Sequence, residues 1–382
     1  MTTTNRPRVP LPDEAAAAPT AGTVTVRVEL GAQGYDIIVG SGLVGRVGES
    51  LPPPAGARGL LVSDETVAGL YGEACLAGLR GAGWEVAPAT VLPGESSKTL
   101  AGAGQLYEAA LDFGLDRGGV IFALGGGVIG DLAGFVAGTF MRGIRFVQVP
   151  TTLLAQVDAS VGGKTAVDLP RAKNAVGVFH QPELVVADVA TLGTLPQREL
   201  RSGLAEVVKH AAIADVAMFR YLQKHAPEVL AREPSALRQV VARNCQIKAE
   251  VVQADPKESG WRAVLNVGHT VGHALERAAG EWVLAHGEAV AYGLIAEAQV
   301  AERLGVAEAG VAAEIEGLLR ALGLAEGRPR LDLPKALQAL RHDKKLQAGK
   351  LRLPLVPRVG EVVLVDEVPL RALEEALAGL AG

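Results

Sequence analysis

The sequence predicts an α/β fold in two parts, a Rossmann-like domain followed by a mainly α-helical one. Three features carry that prediction. Short β-branched runs alternate with Ala-, Leu- and Gly-rich stretches from Thr23 to about residue 190, the pattern of βαβ units around a largely parallel sheet. After Leu195 such runs nearly vanish and apolar residues recur at helical spacing. Between an apolar run and a helical one lies the glycine-rich turn GGGVIGD, a junction suited to holding phosphate at a helix start. At 382 residues, 49% of them hydrophobic, the chain is long enough for two cores at roughly 150 residues per domain.

In chain order, residues 1–21 are rich in Thr, Pro and Ala and read as a disordered extension. Residues 22–190 form the α/β domain, with TVTVRVEL, GLLVSD, GGVIFAL, RFVQVP and ELVVADV as its strands. Residues 191–382 form the helical domain, through segments such as ELRSGLAEVVKHAAI, ALRQVVARNCQIKAEVV and GEAVAYGLIAEAQVAERLG. The stretch LRLPLVPRVGEVVLVD at 351–366 is strand-like, a hairpin interrupted by Pro354 and Pro357.

Composition narrows the partners. A net charge of −5 and 4% aromatic residues provide neither a basic field nor a stacking surface for nucleic acid, so a small molecule is expected. Cys75 and Cys245 lie far apart without metal-binding spacing, which fits a reducing cytoplasm. No apolar run reaches the ~18 to 20 residues that span a bilayer, and the N-terminus lacks an export signal, so a cytoplasmic protein with no membrane partner is expected.

Gly125, Gly127 and Gly130 satisfy G-x-G-x-x-G, but no acidic residue ends the following strand, where a ribose contact usually lies. Asp64, ending GLLVSD, suits either a ribose hydroxyl or a helix N-cap. Glu95 and Lys98 in PGESSK, Thr151, Thr152, Asp158 and Lys164 in PTTLLAQVDASVGGKT, and Lys173 and Asn174 in RAKNAVG add a dense polar set. The density of Lys, Thr and Gly between 151 and 174 points to a phosphate pocket. Further on, Glu206, Lys209 and His210 share a helical face at i, i+3 and i+4. His269, His273 and His286 follow within 18 positions, with Glu276 beside them. One carboxylate and two imidazoles suffice for a catalytic divalent metal with an open position. Spacing leaves the choice between His273 and His286 open, because histidines four apart also form a chelating pair.

Taken in order, GGGVIGD, PTT...VDASVGGKTAVD, GLAEVVKH, LNVGHTVGHA, LAHGEAV and HDKK resemble the 3-dehydroquinate synthase family over roughly Asp64 to Lys345. The resemblance implies an NAD-binding α/β domain, a helical domain carrying zinc, which cobalt can replace, and a homodimer. It implies Glu206, His269 and His286 as metal ligands, with His273 facing substrate. Glu95, Lys98, Gly126, Gly127, Val128, Asp131, Thr151, Thr152, Lys164, Lys173 and Thr194 would hold NAD. Arg142, Asn174, Lys248, Arg262, Asn266 and Lys344 or Lys345 would bind substrate, and Lys209, His273, Asp158 and Lys164 would take part in catalysis. The implied reaction turns 3-deoxy-D-arabino-heptulosonate 7-phosphate into 3-dehydroquinate and phosphate by oxidation at C5, β-elimination, reduction and aldol closure. Two rivals share the fold: another sugar-phosphate cyclase, and a metal-dependent alcohol or glycerol dehydrogenase. Lys248, Arg262 and Asn266 argue against a cyclase whose substrate has no carboxylate, and GLAEVVKH argues against the dehydrogenases.

Overall fold

The computed structural model describes residues 3–4, 22–54, 56–279, 284–329, 332–341, 346–347 and 350–381. Contacts divide the chain into two units, one of residues 18–195 with 237–257, the other of residues 1–17, 196–236 and 258–382. The compositional boundary near residue 190 is thus crossed again, as the chain returns to the first unit along most of the Pro234–Ala254 helix.

The first unit is built on a seven-stranded sheet. Its strands run, in spatial order, Val24–Val28, Tyr35–Gly40, Leu184–Asp188, Arg145–Pro150, Val120–Gly125, Arg58–Asp64 and Glu85–Val91. All neighbours are parallel except Val24–Val28, which pairs antiparallel with Tyr35–Gly40 at one edge. Alternate side chains serve opposite faces. Leu60, Val62, Ile121 and Ala123 join one core under the Leu100–Asp112 and Gly127–Thr139 helices. Leu61, Phe122 and Leu124 join another with Cys75, Leu79 and Trp84. A parallel sheet covered on both faces explains why these strands read as continuous apolar runs.

Every strand named from the sequence in this unit is present, and two strands of the seven-stranded sheet were not legible. Glu85–Val91 contains Pro88, which a strand tolerates at the sheet edge where this one lies. Tyr35–Gly40 sits beside the edge as the partner of Val24–Val28. The polar stretch after Gly163 forms an antiparallel hairpin, Lys164–Leu169 with Ala172–Phe179, which the sequence did not show.

From Arg58–Asp64 the chain passes to Glu85–Val91 on one side, then to Val120–Gly125 on the other. The strand order therefore reverses between Asp64 and Gly125. Ligands of open α/β sheets bind beyond the carboxyl ends of strands at such a switch point.

The second unit is mainly helical. It contains Gln197–Ala214, Val216–Leu230, His269–Ala279, His286–Arg303, Val311–Ala321, Leu333–Arg341 and Leu370–Ala381. Lys350–Leu355 and Val363–Pro369 form the expected antiparallel hairpin, but Pro354 does not interrupt it: it lies inside the first strand opposite Leu364, and only Pro357 falls in the connection. Thr3–Thr4 add antiparallel to its last strand; the remainder of the expected N-terminal extension lies outside the described residues. Among the described residues, no helix is long and apolar enough to cross a membrane.

Candidate active site

The glycine-rich turn stands at the switch point. Gly126 precedes the Gly127–Thr139 helix in an extended conformation, and no side chain caps the helix start, so its first amides are left for an anion. Tight contacts explain the glycines. A Cβ on Gly130 would lie 2.7 Å from Gln148 Oε1, and one on Gly134 would collide with the Thr165 methyl. Thr151 N donates to Gly125 O at 2.9 Å, tying the PTT segment to the turn. Thr151 Oγ1 is buried with no hydrogen-bond partner among the described residues. Thr152 Oγ1 accepts from Ala155 N, and Val128 is half-buried. Asp64 accepts from Val67 N at 3.0 Å, so it caps the short helix that follows its strand. Thr194 Oγ1 lies 2.6 Å from Tyr71 Oη.

Lys98 is 5% exposed and gathers residues that the sequence scatters over nearly 80 positions. Its Nζ lies 2.6 Å from Asp131 Oδ2, 3.7 Å from Glu95 Oε1 and 2.6 Å from Asn174 Oδ1. Burial opposes the Lys98 charge, but Asp131, Glu95 and Asp168 outweigh it and raise its pKa. Burial raises the pKa of Asp131 and of Glu95 despite the nearby ammonium. Asn174 holds a left-handed φ of 52° while its amide donates to Asp168 Oδ1 at 2.6 Å. Lys164 and Lys173 are exposed along the hairpin. Arg142 is exposed on a strained turn in which Met141, Arg142 and Gly143 all have positive φ, 50°, 70° and 113°; residues held so often sit at functional sites. Asp158 pairs with buried Lys248, Oδ1 to Nζ 2.5 Å.

In the helical unit, Glu206 is fully buried on the Gln197–Ala214 helix and ion-paired with Lys209 one turn on. Its Oε1 lies 3.6 Å from His269 Nε2 and 3.3 Å from His286 Nε2, yet neither carboxylate oxygen has a directed hydrogen bond among the described residues. Both imidazoles engage their other nitrogen: His269 Nδ1 is 3.1 Å from Val267 O, and His286 Nδ1 is 2.7 Å from Glu276 Oε1. An Nδ1 proton held by an acceptor turns the Nε2 lone pair towards a metal. One ligand atom from each of Glu206, His269 and His286 falls within 4.8 Å of the others. This donor set fits a divalent cation with a position left for substrate oxygen.

The charges are shaped accordingly. Burial works against ionised Glu206, but Lys209 and the two imidazoles hold its pKa well below the usual carboxylate range. Burial pushes His269 down to about 3. His286 is carried against burial up to about 10 by Glu206 and Glu276, so an arriving cation displaces a proton there.

His273 is exposed, its ring centroid 5.4 Å from that of His269 and 6.4 Å from that of His286. It lies beside the cluster and does not belong to the convergent triad. Arg262 is 2% exposed in the Trp261–Asn266 turn, which ends at half-buried Asn266. Lys344 and Lys345 lie outside the described residues.

Reading the sequence alone did not find Glu297. This buried carboxylate accepts from Gly268 N at 2.7 Å, Thr270 N at 3.1 Å and Val271 N at 3.2 Å. A signal existed: it is the one acid within the apolar stretch AVAYGLIAEAQV.

The chain is also similar to proteins already known. A family model described as 3-dehydroquinate synthase N-terminal matches residues 88–202, and one described as 3-dehydroquinate synthase C-terminal matches residues 203–346. The 3-dehydroquinate synthase of Symbiobacterium thermophilum is 51% identical over 358 residues, covering 92% of this chain and 99% of that protein. That of Pelotomaculum thermopropionicum is 49% identical over 356 residues, covering 93% and 96%. Among solved structures, 2-deoxy-scyllo-inosose synthase complexed with carbaglucose-6-phosphate, NAD+ and Co2+ has a TM-score of 0.85 at 27% identity, covering 93% of this chain and 99% of that one. The 2-epi-5-epi-valiolone synthase of Streptomyces hygroscopicus with NAD+ and Zn2+ bound has 0.82 at 32%, covering 91% and 96%. A probable glycerol dehydrogenase from Sinorhizobium meliloti, at 16% identity and TM-score 0.60, shares the fold alone. With the two family models matching in succession over residues 88–346 and near-full-length relatives about half identical, the chain belongs to the 3-dehydroquinate synthase family.

Proposed function

We propose that this chain converts 3-deoxy-D-arabino-heptulosonate 7-phosphate into 3-dehydroquinate and phosphate, a carbon–oxygen lyase reaction of the shikimate route. The single observation that carries the site reading is the convergence of Glu206, His269 and His286, each imidazole already anchored through Nδ1. NAD and a divalent metal, zinc in the first instance with cobalt as a substitute, are its cofactors; the metal supplies Lewis-acid polarisation of the reacting oxygen, and NAD supplies hydride transfer.

The chain's own residues do the positioning. The open amides after Gly126, with Gly127, Val128, Thr151 and Thr152, receive the NAD pyrophosphate. Asp64, Glu95, Lys98, Asp131, Lys173 and Thr194 complete that cofactor site, and Lys164 serves both NAD and substrate. Because the substrate carries a phosphate and a carboxylate, it needs several cations. Arg142, Lys248 and Arg262 provide them, with Asn174, Asn266 and a lysine of the HDKK motif. Arg262 presents a planar fork matched to a carboxylate. Lys209 balances the Glu206 charge, His273 and Asp158 orient the reacting sugar, and the leaving phosphate takes the C6 proton. A cytoplasmic homodimer is the expected form.

The test is phosphate release from the heptulosonate phosphate with trace NAD. Turnover should stop on chelation and return with zinc or cobalt, and NADH absorbance should not accumulate. NADH formed in step with product would instead favour a dehydrogenase. The relatives' identities of 51% and 49%, against 27% and 32% for the other cyclases, favour the dehydroquinate reaction.

A further inference from the structure

We propose that Glu297 is a positioning residue for the metal site: its carboxylate serves as the missing N-cap of the His269–Ala279 helix and thereby sets where His269 stands. The inference rests on the reading of Glu206, His269 and His286 as metal ligands, and concerns a residue outside that triad.

The local sequence leaves a problem for the fold to solve. His269 is the first residue of its helix, and helix starts expose amides with no intrahelical acceptor. A Ser, Thr, Asp or Asn just before the helix usually accepts from them. Here the preceding residues are Val267 and Gly268, which have no side chain able to do so. Gly268 is held at φ +79°, and a Cβ there would lie 2.9 Å from Leu294 Cγ and 3.0 Å from Leu294 N, so a capping side chain has no room at that position. The amides are nonetheless buried, and buried amides without acceptors are costly.

Glu297 resolves this from 28 positions away. Its Oε2 accepts from Gly268 N, and its Oε1 from Thr270 N and Val271 N, at 2.7, 3.1 and 3.2 Å. A negative charge at that helix start also complements the macrodipole. Glu297 lies on the His286–Arg303 helix, eleven residues, about three whole turns, beyond His286. One carboxylate therefore ties the helix that begins with one metal ligand to the helix that begins with the other. The two helices can come that close because glycines meet: a Cβ on Gly293 would collide with Gly268 O, and one on Gly272 would lie 3.2 Å from Ala289 O. With backbone against backbone, the carboxylate is held in one place, and so is the start of the His269 helix.

The Glu297→Gln enzyme tests this, because glutamine keeps the shape but offers one acceptor oxygen and turns an NH2 towards the other amides. Metal-free parent and variant are titrated with Co2+ against a competing chelator, following the visible absorption of the bound ion; kcat and the KM for NAD are then measured at saturating metal. The expected result is a Kd for Co2+ at least tenfold weaker, a kcat that excess metal does not fully restore, an unchanged KM for NAD, and faster amide exchange at Gly268, Thr270 and Val271. Equal Co2+ affinity and equal kcat in parent and variant would overturn the proposal. So would an E297Q chain with no cooperative melt, which would make Glu297 a determinant of the whole fold. A parent that fails to bind Co2+ defeats the metal-site reading itself, an outcome distinct from either.

Discussion

The side chains of the metal cluster illustrate how much a residue's chemistry depends on what holds it. His269 and His286 are both imidazoles beside Glu206, yet burial pushes one down to about 3 while two carboxylates carry the other up to about 10. Glu276 makes part of that difference through its 2.7 Å contact with His286 Nδ1. Removing such an outer partner of a metal-binding histidine typically weakens metal binding about 10- to 100-fold, and Glu276→Ala should do so in a chelator-competition titration, with Glu276→Gln weakening it less. For Arg262, the proposed charge-assisted contact to the substrate carboxylate would contribute roughly 1.5 to 3 kcal/mol. Arg262→Ala should therefore lower kcat/KM for the heptulosonate phosphate about tenfold to a hundredfold while metal content stays at the parent level. The wild type should barely turn over sedoheptulose 7-phosphate, which lacks that carboxylate; comparable rates on the two sugars would refute the assignment. The cysteines are the counterexample of residues without chemistry. Burial pushes the thiols of Cys75 and Cys245 up to about 12, and the thiolate is the reactive form. A disulfide reagent at about pH 8 should leave the native protein unmodified and label both cysteines on unfolding. Between the ordinary thiol value of 9.0 and about 12, the unfolded chain gives up protons that the native chain keeps, so stability should fall as pH rises through that window.

At the scale of elements, glycines decide how closely the site's helices approach. Gly287 follows His286 directly, its amide donates to Ser202 Oγ at 3.0 Å, and a Cβ on it would collide with the Ser202 carbonyl. Ser202 is one turn before Glu206 on the Gln197–Ala214 helix. Overpacking of this kind typically costs about 1–3 kcal/mol, and here it pushes one ligand-bearing helix from the other. Gly287→Ala should lower the melting temperature of the metal-free protein and weaken metal binding as well, both readable in one thermal-shift series with and without zinc. A variant with a lowered melting temperature and intact metal affinity would show that the helices re-seat without moving the ligands. On the sheet side, Gly134 packs the Gly127–Thr139 helix against Thr165 and Phe146, the same close approach used where a helix start must meet a pyrophosphate.

At the scale of the whole chain, the proposed cofactor and metal sites fall in different units. The residues around Lys98 proposed to hold NAD belong to the α/β unit, and the Glu206 triad to the helical one. A ligand that binds only the folded state stabilises it by about 2.7 kcal/mol at a hundred times its Kd, so NAD and zinc should each raise the melting temperature. Lys98→Ala leaves Asp131 and Asn174 without their shared cation. It should abolish the NAD-induced shift and preserve the zinc-induced one; loss of both shifts would mean that Lys98 supports the fold at large rather than the cofactor site.

Periodicity and glycine placement were enough to read an α/β domain followed by a helical one, because a sheet covered on both faces demands continuous apolar strands and a helix demands a spacing near 3.6. Local chemistry likewise marked the GGGVIGD turn and the histidine-rich stretch. Register, edges and long-range partners were not legible, since they depend on residues distant in sequence. Pro88 hides a strand that is permissible only because it lies at the sheet edge. Lys98 is separated from Asn174 by 76 positions and finds it only through the hairpin. Spacing alone could not separate His273 from His286 as partner to Glu206 and His269. The tertiary structure brings His286 Nε2 to 3.3 Å from Glu206 and leaves His273 exposed, because His286 opens a different helix whose glycine lets it press against Ser202. The cap that Val267 and Gly268 cannot supply comes from Glu297 for the same reason: a carboxylate's neighbours in space are set by helix packing, which no local pattern of residues encodes.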